Sequence, residues 1–253
     1  YIANYALGRD YHKTIRSKLK QIINRISDHT NIKEKNYFVD SAPVLERALA
    51  RNAGLGWIGK NTNLINKNNG SWFFIAEIIT DIELDIDQPS TNHCGSCNKC
   101  IDVCPTSAII APYELDARKC ISYLTIENKE SIPTELREPI GNRIFGCDDC
   151  QIFCPWNKFA KKPVSDDFIP RDVFEDVSLK SLFKWTEEEW DEKTKGSSIR
   201  RSGYQGWLRN IAVALGNSEK EIDTVDLLKS KKGKVSSMVD EHIDWAVEQQ
   251  LSD

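Results

Sequence analysis

Residues 94–105 read CGSCNKCIDVCP, and this stretch decides how the middle of the chain is interpreted. Its four cysteines are separated by two, two and three residues, and a proline follows the last one. A second run at residues 147–155, CDDCQIFCP, repeats the end of that pattern with three cysteines. Cys120 is the eighth cysteine of the sequence and stands alone between the two runs. Thiolates at such short spacings predict a module that binds a soft metal.

The spacing is that of bacterial ferredoxins that carry two 4Fe-4S clusters. In that pattern three cysteines of one tight turn bind one cluster, and the fourth, carried away by the longer spacer and the proline, binds the other. The second run lacks its first cysteine, which Cys120 can supply from an insertion. The predicted ligand sets are Cys94, Cys97, Cys100 and Cys154 for one cluster, and Cys104, Cys120, Cys147 and Cys150 for the other.

Two other uses of the cysteines compete with this interpretation. Disulfides need an oxidising compartment, whereas the first residues, YIANYALGRDYHKT, carry no signal-peptide pattern. Structural zinc favours two C-x2-C pairs for each ion, without the C-P endings seen here. Two clusters in one module instead indicate electron transfer, so a group beside them must be reduced.

Length and composition bound the rest of the protein. The 253 residues allow two or three small domains, and 40% apolar with 28% charged residues is typical of folded chains. No run approaches the ~18 apolar residues of a membrane span. We therefore expect a soluble, cytoplasmic protein with no membrane partner. Because Met238 is the only methionine, we also expect that an N-terminal part precedes Tyr1.

The net charge of −4 argues against a uniformly cationic nucleic-acid binder. Positive charge is nevertheless concentrated locally, because residues 193–209 contain five basic side chains and no acidic one. Such a run is either an ordinary solvated face or a surface for a polyanion.

Periodicity predicts an α+β fold. Apolar residues recur on one face of a helix over residues 13–27, and residues 37–39 resemble a short strand that leads into a helix starting near Pro43. The glycines of residues 54–59 form G-x-G-x-x-G after a helix instead of a strand, which excludes a dinucleotide fingerprint. A hairpin is expected to pair Leu64 and Ile65 with residues 72–79, through Asn69-Gly70. Further helices are predicted at residues 179–190, 204–215 and 236–250.

Seven stretches of this sequence resemble the epoxyqueuosine reductase family. They are GRDYHK (8–13), VDSAPVLER (39–47), GLGWIGKNT (54–62), SWFFIAE (71–77), CISYLTIE (120–127), GNRIFGCDDCQIFCPWN (141–157) and LRNIAVALGN (208–217). The resemblance covers nearly the whole chain, and the remote Cys120 is its most specific element. It implies part of a cobalamin-binding α/β domain at residues 1–90, a two-cluster ferredoxin-like module at 91–160 and a helical HEAT-like, tRNA-binding domain at 161–253.

The activity that the resemblance implies is removal of the epoxide oxygen of epoxyqueuosine at the wobble position of tRNA. Electrons would pass through the two 4Fe-4S clusters to cobalamin. The implied partners are the anticodon region of tRNA and an electron donor, which is a reductase, flavodoxin or ferredoxin, and we expect a monomer. Two alternatives remain: a cobalamin-dependent reductive dehalogenase, and a two-cluster electron-transfer protein without chemistry of its own.

The resemblance also assigns individual residues. Asp40 matches the proton donor and Asp10 a second polar residue of its pocket, although either side chain could instead cap a helix. Independently of the resemblance, the acid-free basic run of residues 193–209 predicts that Arg200, Arg201 and Arg209 contact tRNA phosphates. The histidines do not form D-x-H-x-x-G, which fits cobalamin bound without a protein histidine below the cobalt. The implied cofactor contacts are Asp10, Asp40, Lys60, Asn61, Thr62 and Leu64.

Overall fold

A computed structural model describes residues 1–161 and 165–252. The predicted boundary of the third domain at residue 161 adjoins residues 162–164, which lie outside the described residues, as does residue 253. The described chain is mixed, with eleven α-helices and six short strands. None of its helices has the length and apolar character needed to cross a lipid bilayer.

The N-terminal third combines the first two helices with the first four strands. Helix α1 spans Tyr11–His29, which confirms the predicted amphipathic helix, and its Leu19 and Ile23 are buried. Helix α2 spans Glu46–Asn52 and therefore begins three residues later than expected from Pro43. The strands are β1 (Lys35–Phe38), β2 (Trp57–Ile58), β3 (Leu64–Ile65) and β4 (Glu77–Thr80).

Strand pairing differs from the expected hairpin. Strand β4 pairs antiparallel with β1, with Phe38 opposite Glu77, while β3 pairs with β2. The turn at Asn69-Gly70 closes only a single bridge, between Asn66 and Gly70. Gly70 has φ +67° and packs so closely on Asn157 that a Cβ would lie 2.1 Å from its Oδ1. This turn is therefore shaped by docking against a distant segment, which periodicity cannot reveal.

The cysteine-rich segment is built from short elements. Its residues form α3 (Lys99–Asp102), β5 (Ile109–Ala111), β6 (Glu114–Leu115), α4 (Ile121–Ile126), α5 (Thr134–Ile140) and α6 (Asp149–Ile152). Each of the helices α3 and α6 spans a four-residue turn that contains a cysteine, Cys100 or Cys150. The two strands pair antiparallel, and α3 contacts both α6 and β5.

The C-terminal third is helical. It consists of α7 (Leu179–Lys184), α8 (Glu187–Thr194), α9 (Gly203–Gly216), α10 (Ile222–Lys231) and α11 (Ser237–Leu251). The single helix expected over residues 179–190 is divided, because a capping box between Thr186 and Glu189 starts α8. Helix α9 is buried along its length and packs on α11 and α7.

One apolar core joins the helical third to the cysteine-rich segment. Its members include Ile121 and Phe145 beside Trp207 and Ile243, and the rings of Trp185 and Trp207 stack 5.8 Å apart. A smaller core around Tyr11, Leu19 and Val39 lies under α1. The start of α1 and the end of β1 are thus fixed by packing, and both carry polar residues predicted to be functional.

Candidate functional site

Asp40 lies in the loop after β1 in a left-handed conformation, with φ +56°. The hydroxyl of Tyr11 donates a hydrogen bond to Oδ2 of Asp40, and Nε2 of His12 lies 3.5 Å from the same oxygen. The Asp40 side chain remains 55% exposed. Helix α2 begins only at Glu46, and no side chain caps it. The alternative that Asp40 caps this helix is therefore wrong. The Asp40 side chain instead lines a cavity.

Asp10 is the N-cap of α1, which confirms the capping alternative for this residue. Its Oδ1 accepts the backbone N–H of His12 at 3.0 Å and lies 2.8 Å from Nδ1 of the same histidine. A hydrogen bond at Nδ1 sets the tautomer and the direction of the ring. Nε2 of His12 is consequently aimed at Asp40, and within the described part of the chain it has no hydrogen-bond partner.

Tyr11 is a rigid donor to Asp40. Burial, followed by hydrogen bonding to the Asp40 carboxylate, raises the pKa of the Tyr11 phenol above its usual value. The ring stacks on His12 at 4.1 Å and on Phe74 at 4.4 Å between centroids. Tyr11 therefore keeps its proton at neutral pH and holds the Asp40 carboxyl in one position.

The cavity beside Asp40 has a volume of about 860 Å³. It brings together residues from the predicted catalytic, tRNA-binding and cluster-binding sets. Arg201 pairs with Glu127 at 2.5 Å, and Arg200 pairs with Asp191, so both guanidinium groups are held at the rim and remain partly exposed. Cys120 also lines this cavity. Its basic lining residues are Lys13, Arg16, Lys195, Arg200 and Arg201.

Arg209 does not line this cavity, and the prediction that it contacts tRNA phosphates is wrong. The residue is fully buried, and its guanidinium donates to the carbonyls of Leu124, Asn128 and Glu130 at 2.6–2.9 Å. Burial lowers its pKa to about 10. A buried guanidinium whose donors are used by backbone carbonyls cannot reach a solvent-borne phosphate, so Arg209 is structural.

A second cavity that Asp40 also lines has a volume of about 700 Å³. Thr62 and Arg47 line it, and Nη1 of Arg47 donates to the carbonyl of Thr62 at 2.5 Å. A third cavity of about 1020 Å³ contains Leu64. The two cavities share the lining residues Tyr11, Arg47, Asn63, Phe73, Phe74 and Ile75. Together they form a broad, largely apolar trough beside Asp40.

We call the two predicted ligand sets the first thiol group (Cys94, Cys97, Cys100 and Cys154), whose members line one cavity, and the second thiol group (Cys104, Cys120, Cys147 and Cys150). Burial, followed by repulsion from Cys154, Cys94 and Cys97, raises the pKa of Cys100 to about 11. Burial, followed by repulsion from Cys147 and Cys120, raises the pKa of Cys150, with weaker effects from Cys100 and Cys104. Such groups of thiols need a bound cation to become thiolates together. In residues 1–161 and 165–252 no cluster of His, Cys, Asp or Glu side chains is arranged to hold a single metal ion.

Nearby polar groups point at the second thiol group. The N–H of Ala108 lies 3.2 Å from Sγ of Cys104, and Nδ2 of Asn63 lies 3.7 Å from Sγ of Cys150. Asn61 is buried and donates to the carbonyl of Cys150 at 3.1 Å. Hydrogen bonds of this kind orient and tune metal ligands.

The six predicted cofactor contacts do not share one cavity. Asp10 and Asp40 line the 860 Å³ cavity, Thr62 lies in the trough with Asp40, and Leu64 lies in the part of the trough that Asp40 does not line. Lys60 and Asn61 instead line a cavity of about 320 Å³ together with Cys94, Cys97, Cys100 and Cys154.

Sequence reasoning singled out Asp10 and Asp40 but missed Tyr11 and His12, which contact Asp40. The available signal was their position in GRDYHK, directly after an aspartate that could cap a helix. Residues in the first turn of a helix lie close to its N-cap, so this position places Tyr11 and His12 near Asp10. Glu46 was also missed, although Oε1 of Glu46 accepts the backbone N–H of Asp40 at 2.6 Å.

Family models match two segments of this chain. A model of the 4Fe-4S double cluster binding domain matches residues 93–157, and one of the epoxyqueuosine reductase QueG domain matches residues 1–41. The chain is 56% identical to an epoxyqueuosine reductase of Xanthomonas campestris pv. campestris, with 98% of this chain and 70% of the relative covered. It is 50% identical to that of Escherichia coli (strain K12), with 99% and 66% covered.

Two solved structures have nearly the same fold. A crystal structure of epoxyqueuosine reductase with an epoxyqueuosine-modified tRNA-Tyr stem loop has a TM-score of 0.92 and 32% identity, covering 98% of this chain and 66% of that chain. The Bacillus subtilis enzyme, in a form whose catalytic aspartate loop is swung out of the active site, has a TM-score of 0.90 and 31% identity at the same coverage. The chain thus spans about two thirds of the length of these proteins.

Proposed function

Because this chain belongs to the epoxyqueuosine reductase family, we propose that it removes the epoxide oxygen of epoxyqueuosine at the wobble position of tRNA. The observation that carries this proposal is the position of the Asp40 carboxyl, which accepts a hydrogen bond from Tyr11 and faces His12. It lines a cavity that is also lined by basic side chains. Cys120, which lies in the segment that the double-cluster model matches and which we propose as a cluster ligand, lines the same cavity. An acid and a source of electrons therefore meet in one place.

The reaction needs two electrons and two protons. Both carbon–oxygen bonds of the epoxide break, a carbon–carbon double bond forms, and the oxygen leaves as water. Cobalamin, when bound, would supply a nucleophilic metal centre that can be reduced one electron at a time. In our proposal Asp40 gives its proton to the epoxide oxygen as the ring opens, which is general acid catalysis.

In our proposal the neighbours of Asp40 orient its carboxyl and return a proton to it after each turnover. Tyr11 donates to Oδ2 and stabilises the carboxylate that remains after proton transfer. His12 can return a proton through Nε2, because Asp10 holds its other ring nitrogen. Asp10, His12 and Asp40 thus form a line of polar groups along which, in our proposal, a proton moves towards the substrate.

The trough beside Asp40 fits a large, flat cofactor. Its combined size and its apolar lining suit a corrin, and Asp40 lies at its edge. We propose that Thr62, Leu64 and Arg47 hold cobalamin there together with Asp40. Asp10 instead acts through His12, and Lys60 and Asn61 belong to the cluster side.

The two thiol groups suggest the direction of electron flow. Cys97 is the one exposed thiol of the eight, whereas Cys120 lines the reaction cavity. We propose that a flavodoxin, ferredoxin or reductase delivers electrons near Cys97, and that the Cys104 group passes them to the cofactor. A cluster near the surface shortens the distance to a soluble donor.

Arg200 and Arg201 are proposed to receive tRNA phosphates at the rim of the cavity. In this proposal the anticodon loop lies over Asp40, and the protein acts on tRNA as a monomer in the cytoplasm. Since a relative is found with its catalytic aspartate loop swung out of the active site, we infer that the Asp40 loop also has a second position.

The test is anaerobic turnover of a tRNA stem loop that carries epoxyqueuosine, using protein with reconstituted clusters, with and without cobalamin. Mass spectrometry should show the loss of one oxygen atom only in the complete mixture. An organohalide and an oxidised cytochrome are offered in parallel assays as alternative electron acceptors. Loss of halide without tRNA turnover would indicate a dehalogenase, and cytochrome reduction alone would indicate an electron-transfer protein.

A further inference from the structure

The backbone of Asp40 is held by a carboxyl group that the proposed reaction does not use. The N–H of Asp40 donates to Oε1 of Glu46 at 2.6 Å. Asp40 adopts a left-handed backbone conformation that a residue with a side chain rarely occupies without support. Ser41 adds a tight contact, since its N–H donates to the carbonyl of Val39 at 2.6 Å. Glu46 is thus the side chain that anchors the loop on the side of α2.

A second carboxyl, that of Glu77, interacts electrostatically with the carboxyl of Glu46. Glu77 begins β4 opposite Phe38, two residues before Asp40. Both carboxyl oxygens of Glu77 are out of contact with solvent, and they accept no hydrogen bond from any residue that the structure describes. Burial, followed by repulsion from Glu46, raises the pKa of Glu77 to about 7. The natural partner for a proton on Glu77 is therefore the Glu46 carboxylate.

Other charged groups on the surrounding elements do not neutralise this pair. On β1, Lys35 lies opposite Thr80 at the far end of the ladder, and Tyr37 lies opposite Ile78. On α2, Arg47 is turned towards Thr62. On the loop side Asp40 is bound by Tyr11 and faced by His12. Across residues 1–161 and 165–252, neither Glu46 nor Glu77 forms an ion pair.

We propose that Glu46 and Glu77 are positioning residues that share one proton and thereby hold the Asp40 loop in the reaction cavity. When Glu77 is protonated, its hydroxyl donates to Glu46, whose Oε1 keeps the N–H of Asp40. When Glu77 is ionised, two carboxylates repel each other in a site shielded from water, and Glu46 turns away. Asp40 then loses its backbone anchor. The proposal rests on the assignment of Asp40 as the proton donor.

Hydrogen exchange of the Asp40 amide tests this proposal without cobalamin, substrate or turnover. Exchange is followed by mass spectrometry with fragmentation that isolates this amide, from pH 6 to 8.5, after correction for the intrinsic rate. In the unmodified protein we expect protection to fall by at least about tenfold across this range, as the locally open form becomes populated. Glu77→Gln should stay protected throughout, because its amide can donate to Glu46 at every pH.

Variants of Glu46 separate anchoring from simple packing. Glu46→Ala removes the acceptor and should leave the Asp40 amide unprotected at every pH. Glu46→Gln retains an acceptor oxygen and should restore protection without the pH dependence. Glu83→Gln, which changes an exposed carboxyl just beyond β4, is the matched control and should behave like the unmodified protein.

The outcomes distinguish this proposal from the proposed function. The proposal of a shared proton is overturned if protection of the Asp40 amide does not change with pH in the unmodified protein. It is also overturned if protection in Glu77→Gln falls with pH as it does in the unmodified protein. Asp40→Asn keeps the backbone amide, so its protection should follow the unmodified protein even where turnover is lost. Full turnover of Asp40→Asn with the expected exchange pattern would instead overturn the role of Asp40 and leave the anchor intact.

Discussion

The hydroxyl of Tyr11 donates a hydrogen bond to Oδ2 of Asp40 from a position 29 residues earlier in the chain. The bond connects the first residue of α1 to the loop after β1. Stacking on Phe74 and edge contact with Tyr5, at 4.4 and 5.7 Å between centroids, fix the tyrosine ring. Asp40 therefore depends on a donor whose position is set by packing.

Tyr11→Phe keeps this packing but removes the hydrogen bond. A hydrogen bond to a charged group contributes about 1.5–3 kcal/mol, so we expect kcat to fall by roughly ten- to a hundredfold with little change in KM for tRNA. Single-turnover kinetics under anaerobic conditions measure this effect. Tyr37→Phe, on β1, is the matched control. Equal losses of kcat in both variants would show that the hydrogen bond from Tyr11 to Asp40 does not contribute to catalysis.

Asp40→Asn retains the shape of the side chain and loses the acidic proton. We expect turnover to fall by roughly two to four orders of magnitude, the usual contribution of general acid catalysis, while cluster content and tRNA affinity remain. Asp10→Asn should cost less, because it disturbs only the orientation of His12. Full activity in Asp40→Asn would exclude it as the proton donor.

Cys104→Ala should remove the cluster of Cys120, Cys147 and Cys150 and leave the other in place. The reason is that Cys104 follows the three-residue spacer and belongs to the second thiol group. Cys97→Ala is the reciprocal control and should affect the Cys94 group. Iron counting and EPR distinguish the two results, and retention of the Cys120 cluster in Cys104→Ala contradicts the crossed assignment.

Double replacement of Arg200 and Arg201 by Ala should weaken tRNA binding and flatten its salt dependence. Each lost phosphate contact reduces the slope of log K against log salt by about 0.7–0.9. Titrations at several salt concentrations measure the slope. Arg209→Lys is the contrasting variant: it should lower the free energy of unfolding by about 1–3 kcal/mol, because buried carbonyls lose their donors. An unchanged slope in the double variant would place the phosphates elsewhere.

The pH dependence of stability should carry the signature of Glu77. Its pKa in the folded protein is about 7, above the ordinary value of 4.5. The folded state therefore holds a proton that the unfolded chain releases, so the free energy of unfolding should fall as the pH rises from about 4.5 to about 7. Glu77→Gln should lack this loss. Urea denaturation at pH 5 and 7.5 tests the difference, and parallel behaviour of both proteins would contradict the raised pKa.

The sequence alone determined the features that depend on neighbouring residues. Short cysteine spacings predict the two thiol groups, because a turn of a few residues decides which thiols can face one another. The apolar period of α1 depends equally on local geometry, and the structure confirms it over Tyr11–His29. Motif resemblance selected Asp40, and family membership follows from comparison over nearly the whole chain.

The contacts between residues far apart in sequence, and the exposure of individual basic side chains, follow from the tertiary structure alone. Arg209 lies in the same acid-free run as Arg200 and Arg201, yet it is buried because α9 is enclosed by the helices and loops around it. Strand β4 pairs with β1 instead of completing a local hairpin. The contacts of Asp40 with Tyr11, His12 and Glu46 likewise bring together a helix start, a loop and a second helix. Burial and such contacts are properties of packing between distant segments, and local periodicity carries no record of them.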